Sequence, residues 1–140
     1  HASSGMHTKF LLLGAISAFI GVAAGAFGAH GLKGHLSADL LAVYETGVRY
    51  ELFHAVALLF VGLAAERWPA ARWGRTGWMF LFGTVLFSGS LYALALTGER
   101  WLGAVTPLGG VCFLAGWIFA AMAALRSASS DPGAAPPGAE

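Results

Sequence analysis

The stretch YETGVRYELFH, residues 44–54, gathers two carboxylates, a guanidinium, two phenols and an imidazole at the head of the apolar run LFHAVALLFVGLAA. At about 100° per residue of helix, Glu45 and Arg49 share one face, with the acid N-terminal to the base, the favoured order for an ion pair. Tyr50, Glu51 and His54 share another, and Arg49 and Glu51 stand about 160° apart. One neighbouring helix cannot shield both faces. An ionisable group inside a membrane span is costly unless paired, so each is a functional candidate by default. Arg49 would hold an anionic group through its fork of donors, and His54 would donate or exchange a proton. The plainer reading makes Glu45 and Arg49 a structural clasp and His54 a core imidazole satisfied by a carbonyl or a tyrosine. His30 and His54 with a nearby glutamate would suit a metal by residue type, but no tight pair such as H-x-x-x-H or H-E-x-x-H occurs, and no metal site is assigned. No nucleophile elbow, P-loop or dinucleotide fingerprint appears either, so no catalytic residue and no cofactor is assigned, and an enzyme is not expected.

The elements that must carry these residues are membrane helices. The 140-residue chain is 57% hydrophobic and 11% charged, where a soluble domain has about 25% charged residues. A span needs roughly 20 apolar residues to cross about 30 Å of hydrocarbon. Residues 10–29, 77–97 and 101–125 qualify without a single charge. The second span is short of apolar positions, because residues 52–65 are all that is uncharged. Counting about 20 residues back from Ala65 puts its entry near Thr46, which makes Arg49, Glu51 and His54 shallow intramembrane residues. The expected fold is an all-α membrane protein, with four transmembrane helices in a compact bundle spanning residues 6–126. Ser37 is a plausible N-cap in the longer first loop, where GLKGHLSADLLAVY leaves room for a short interfacial helix between helices one and two. HASSG ahead of Met6 reads as an expression remnant, and residues 127–140, rich in Ser, Pro, Gly and Ala, as a disordered tail.

Lys9, Arg67, Arg72, Arg75 and Arg126 fall on one side of such a bundle and Lys33, Arg49 and Arg100 on the other, which favours cytoplasmic termini. Trp68, Trp73, Trp78 and Trp101 lie near span ends, as interfacial anchors do. Ser17, Gly21, Gly25 and Ala29, spaced by four, form a small-residue stripe for close helix packing, and Gly109 and Gly110 extend that theme. In TPLGG, residues 106–110, Pro107 predicts a kink in the first half of the fourth span. Scattered single charges and a lone cysteine, Cys112, exclude a nucleic-acid groove, a Cys-based zinc cluster and a disulfide framework. Membrane lipids are the expected partners, with a homo-oligomer or a larger membrane complex as further options.

Four separated motifs, FGAHGL (27–32), YETGVRYELFHAVALL (44–59), LFSGSLYALALTG (86–98) and TPLGG (106–110), stand in an order and spacing that resembles the small bacterial inner-membrane proteins of the YgdD/YwdK type, domain of unknown function 423. The resemblance runs from about Met6 to Arg126. It implies a multi-pass four-helix protein of the bacterial inner (cytoplasmic) membrane and carries no catalytic assignment. It directs attention to His30, Glu45, Arg49, Tyr50, His54, Ser88, Ser90, Tyr92 and Thr106. At position 51 it implies an uncharged or imidazole side chain, so Glu51 is read as peripheral. Two functions are expected on these grounds, with a metal-binding membrane protein as a remote third. One is a small polar intramembrane site near the outer leaflet that binds or passes a small polar or lipid-headgroup ligand. The other is a structural or assembly protein whose glycine-rich faces and polar clasp serve packing and oligomerisation.

Overall fold

A computed structural model of the chain describes residues 2–130. Helix α1 (Ala2–Phe27) ends in a widened π turn, Gly28–Leu32, and a short loop leads to α2 (Ala38–Arg67). A tight turn at Pro69–Ala71 precedes α3 (Gly74–Gly83), which passes through a second π turn, Thr84–Ser88, into α4 (Gly89–Thr97). The turn Arg100–Ala104 then feeds α5 (Thr106–Ser130). Helices α3 and α4 form one span, so four segments are long and apolar enough to cross a membrane: Gly5–Leu32, Ala38–Arg67, Gly74–Thr97 and Arg100–Ser130. In the bundle, α2 packs between α1 and the third span, and α5 packs on the third span with Phe113 and Trp117 reaching His54 of α2. Phe10, Leu58, Val61, Phe80 and Phe113 are buried between them. Phe19, Val22, Phe53, Val56, Leu63, Val85, Leu114 and Ile118 point outward, as lipid-facing side chains do.

Several boundaries differ from the sequence reading. The hydroxyl of Ser37 accepts the N–H of Leu40 at 3.2 Å, and Asp39 stands in the first turn. Both favour a helix start there, and apolar periodicity then runs unbroken into the span. There is consequently no separate interfacial helix. GLKGHLSADLLAVY is divided among the π turn, the loop and the start of α2, and Gly34, at φ +88°, makes the bend. Helix α2 is 30 residues long, about 45 Å at 1.5 Å each, so its polar stretch lies well inside the helix and not at its mouth. Pro107 is the second residue of α5, where its missing N–H has no intrahelical partner to lose. It starts the helix and does not kink a span. The supposed remnant is helical over residues 2–5, with His1 outside the described residues. At the other end the first four residues assigned to a tail form the last turn of α5. Ser127 is buried there, accepting the indole N–H of Trp73 at 2.9 Å. Residues 131–140 lie outside the described residues.

The small-residue stripe also turns out differently. Ser17 and Gly21 are buried, Gly25 is half-buried and Ala29 is exposed. A spacing of four advances about 40° per step, so by Ala29 the stripe has rotated off the contact, whereas a spacing of seven drifts by only about 20°. The seam is therefore Gly14, Gly21 and Gly28. A Cβ on Gly14 would come within 3.0 Å of the Ala55 carbonyl and of Leu59, one on Gly21 within 2.7 Å of Leu52, and one on Gly28 within 2.6 Å of the Tyr44 ring. Of the glycine pair in α5, Gly109 meets backbone: a Cβ there would overlap the main chain of Phe87 in the second π turn. Gly110 has room. Gly109→Val should thus destabilise the bundle by about 3 kcal/mol, the upper range for overpacking, because backbone cannot yield as a side chain can. Ala29→Val should stay within about 0.5 kcal/mol. Reversible unfolding of both variants in detergent micelles measures the difference.

Candidate functional site

The polar residues singled out on the sequence do not form one site. His30, Glu45 and Arg49 are exposed. No ion pair joins Glu45 to Arg49, so the expected clasp is absent among the described residues. Tyr50 is 38% exposed and packs its ring on Phe87, 4.7 Å between centroids. Ser90 shares a 2.6 Å hydrogen bond with Thr106, which ties α4 to the start of α5. Ser88 is buried and donates to the Gly47 carbonyl at 2.6 Å, which ties the third span to α2.

His54 is buried and fully engaged. Its Nε2 lies 3.1 Å from the indole nitrogen of Trp117, and its Nδ1 lies 2.8 Å from the Tyr50 carbonyl. An indole N–H only donates and a carbonyl only accepts. Nε2 therefore accepts, Nδ1 carries the proton, and the ring is the neutral Nδ1–H tautomer. Phe113 covers its face at 3.6 Å between centroids and 9° between planes. Neither nitrogen is left free for a ligand, and the plainer sequence reading of a satisfied core imidazole describes the geometry.

Glu51, read as peripheral on the sequence, occupies the interior. Only 5% of it is exposed. The Tyr92 hydroxyl donates to its Oε1 at 2.7 Å and the Ser17 hydroxyl to its Oε2 at 3.0 Å. No basic side chain among the described residues pairs with it. Glu51 sits near the midpoint of α2, and Ser17 near the midpoint of the Gly5–Leu32 span, so the carboxyl is held deep between them. Glu51 and His54 part company because α2 is packed on more than one side: the carboxyl faces α1 and α4, and the imidazole faces α5.

Glycines make this arrangement possible. Tyr92 crosses α2 at Gly47, where a Cβ would come within 2.8 Å of the ring, and so reaches a carboxyl one turn further along. Tyr44 fits the notch at Gly28 in the same way and donates to the Ala24 carbonyl at 2.6 Å. The two tyrosine rings meet at 5.2 Å between centroids. The cluster thus holds a carboxyl, two hydroxyl donors on separate oxygens and a second phenol beside one of them. Sequence reasoning had Ser17 only as a packing residue and passed over Tyr44 and Trp117. The N-cap at Ser37 was the usable signal, since a helix begun there centres Glu51.

A four-span helical bundle with an apolar exterior and a polar cluster near its middle defines a small integral membrane protein. The chain belongs to the family described as "Protein of unknown function (DUF423)", whose profile matches residues 24–110. It is 47% identical over 118 residues to the UPF0382 membrane protein YwdK of Bacillus subtilis (strain 168), covering 84% of this chain and 96% of the relative. It is 46% identical over 123 residues to the UPF0382 inner membrane protein YgdD of Escherichia coli (strain K12), covering 86% and 93%. A UPF0382 membrane protein of Haemophilus influenzae is 46% identical over 125 residues, covering 89% and 99%. No solved structure matches the chain.

Removing the hydroxyl in Tyr92→Phe should cost about 1–3 kcal/mol, the range for leaving a buried acceptor without its donor. Arg49→Ala, on the exposed face, should stay within about 0.5 kcal/mol. Unfolding in detergent compares the two, and a larger loss for Arg49→Ala would restore the clasp.

Proposed function

We propose that this membrane protein has both termini on the cytoplasmic side and that its bundle houses a small polar site, centred on Glu51, that takes up and releases a proton. The observation that carries this reading is a buried carboxyl, near the middle of its span, whose only partners among the described residues are hydroxyls. A carboxylate at that depth costs several kcal/mol unless its charge is compensated. Ser17 and Tyr92 donate hydrogen bonds but bring no charge, and a bound proton supplies what they lack. The same hydroxyls serve both states, because each can donate to a carboxylate or accept from a carboxylic acid. The site lies deeper than the outer-leaflet position expected from the sequence, and its ligand is smaller than a headgroup.

The alternative, packing and assembly, has its own observation: the hydroxyl–carboxyl contacts join α1, α2 and α4, so the cluster also locks helices together. The glycines at positions 14, 21, 28, 47 and 109 are covered within one chain, which leaves them unavailable for contacts between copies.

A hydrophobic carbodiimide, which reacts with protonated carboxyls in apolar surroundings, separates the readings. The proton site predicts a single adduct on the folded protein in detergent, mapped to Glu51 by peptide mass spectrometry and missing from Glu51→Gln. Labelling confined to surface carboxylates, with Glu51 unmodified, would leave only the structural lock.

A further inference from the structure

Glu51 stands between two unlike halves of the bundle. Toward the termini, α2 continues with the buried residues Ala55, Leu58 and Val61, and the last two pack with Phe10 of α1 and Phe80 of α3 in one apolar cluster. Helix α1 meets α3 directly there. A Cβ on Gly77 would come within 2.5 Å of the Phe10 ring, which also lies edge-on to Trp78 at 5.5 Å between centroids. One turn from Ser17 on the same side, Gly14 is closed against the Ala55 carbonyl and Leu59. Close-packed hydrocarbon offers a proton no group that both accepts and donates.

Toward the opposite end, tyrosines occupy the space between α1 and α4. Tyr44 reaches the Ala24 carbonyl of α1, its ring meets that of Tyr92, and the Tyr92 hydroxyl holds Glu51. Tyr92 is only half-buried, whereas Phe10, Leu58 and Val61 on the other side are almost wholly buried. The Ser88 hydroxyl, on the Gly47 carbonyl, lies on the tyrosine side as well. Leu32 and Ala95 form a smaller apolar cluster with Tyr44. Among the described residues, the titratable groups facing the carboxyl are the phenols of Tyr92, from α4, and Tyr44, on its own helix; α1 brings Ser17, while His54 turns to α5 and Arg49 is exposed. We infer that Glu51 exchanges its proton with one side of the membrane only, the side opposite the termini, past Tyr92 and Tyr44. The inference rests on the proton-site reading and adds a direction to it. A proton from that side forms the O–H bond of the carboxylic acid and leaves by the same route, so the bundle senses the pH of that side and carries no proton across. With the termini in the cytoplasm, as proposed above, that is the outer side.

Proteoliposomes with the internal and external pH set independently test the direction. The exposed Ser130, at the end of α5, becomes the only thiol in Ser130→Cys with Cys112→Ala, and an impermeant maleimide then tags the molecules whose termini face outward. A membrane-permeant carbodiimide labels protonated Glu51, intact mass spectrometry reads both labels on each molecule, and Glu51→Gln supplies the background. In tagged molecules the tyrosine end faces the lumen. Raising the internal pH from about 6 to about 10, which brackets the range of about 8–9 documented for buried glutamates, should lower their Glu51 adduct at least about tenfold, and raising the external pH should leave it unchanged. Untagged molecules should show the reverse. An adduct that follows the pH on the side of the termini, on both sides or on neither overturns one-sided exchange. No Glu51 adduct at any pH removes the proton site itself, a failure distinct from an adduct that answers to the wrong side.

Discussion

One carboxyl sets the terms for the middle of this bundle. Glu51 can be buried there only because two hydroxyls from different helices reach its two oxygens. Ser17 lies on the first span and Tyr92 on the third, so α2 must have both neighbours at close range on the same face. A lipid-exposed position would leave the carboxyl without either donor, in surroundings that offer no water. The central place of α2 is therefore a requirement of its own sequence.

Close range is in turn a matter of missing side chains. In lipid there is little hydrophobic drive to press helices together, and close approach through small residues replaces it. Gly14, Gly21 and Gly28 bring α1 onto α2, and Gly47 lets the Tyr92 ring cross α2 to the carboxyl. Ser88, at the end of the second π turn, fastens the third span to the Gly47 carbonyl. A π turn inserts extra backbone into a helix and re-aims the turns beyond it, and such turns are frequent at functional sites. Here the re-aimed segment is α4, which carries Ser90 and Tyr92.

The four spans were legible because uninterrupted apolar length is a strong signal, and Ser37 was legible as a cap because its chemistry is local. The placement of Glu51 was not. Counting only uncharged residues assumed that charge marks the edge of a span, and that assumption pushed Glu51 toward the surface while the capping residue seven positions before Tyr44 argued for a longer helix. The helical wheel separated the faces of Arg49 and Glu51 correctly but could not say which neighbour met each. Ser17 donates to Glu51 across 34 positions of sequence and Trp117 to His54 across 63, contacts that no local pattern reports. The small-residue stripe failed for a geometric reason, since a step of four precesses around the helix and a step of seven nearly does not.

His54 and Glu51 show why burial alone does not mark a site. Both are 5% exposed and both sit in α2 within three residues of each other. His54 is satisfied in a neutral form: one nitrogen donates, the other accepts, and an aromatic ring covers its face. Adding a proton to Nε2 would set it against the indole N–H of Trp117, so the surroundings fix a single state. Glu51 has hydroxyl partners, and a hydroxyl can rotate to donate or to accept. Its hydrogen-bond partners therefore suit either state. The proposed proton site needs that tolerance, and within this bundle it is the partners of the carboxyl, not those of the imidazole, that offer it.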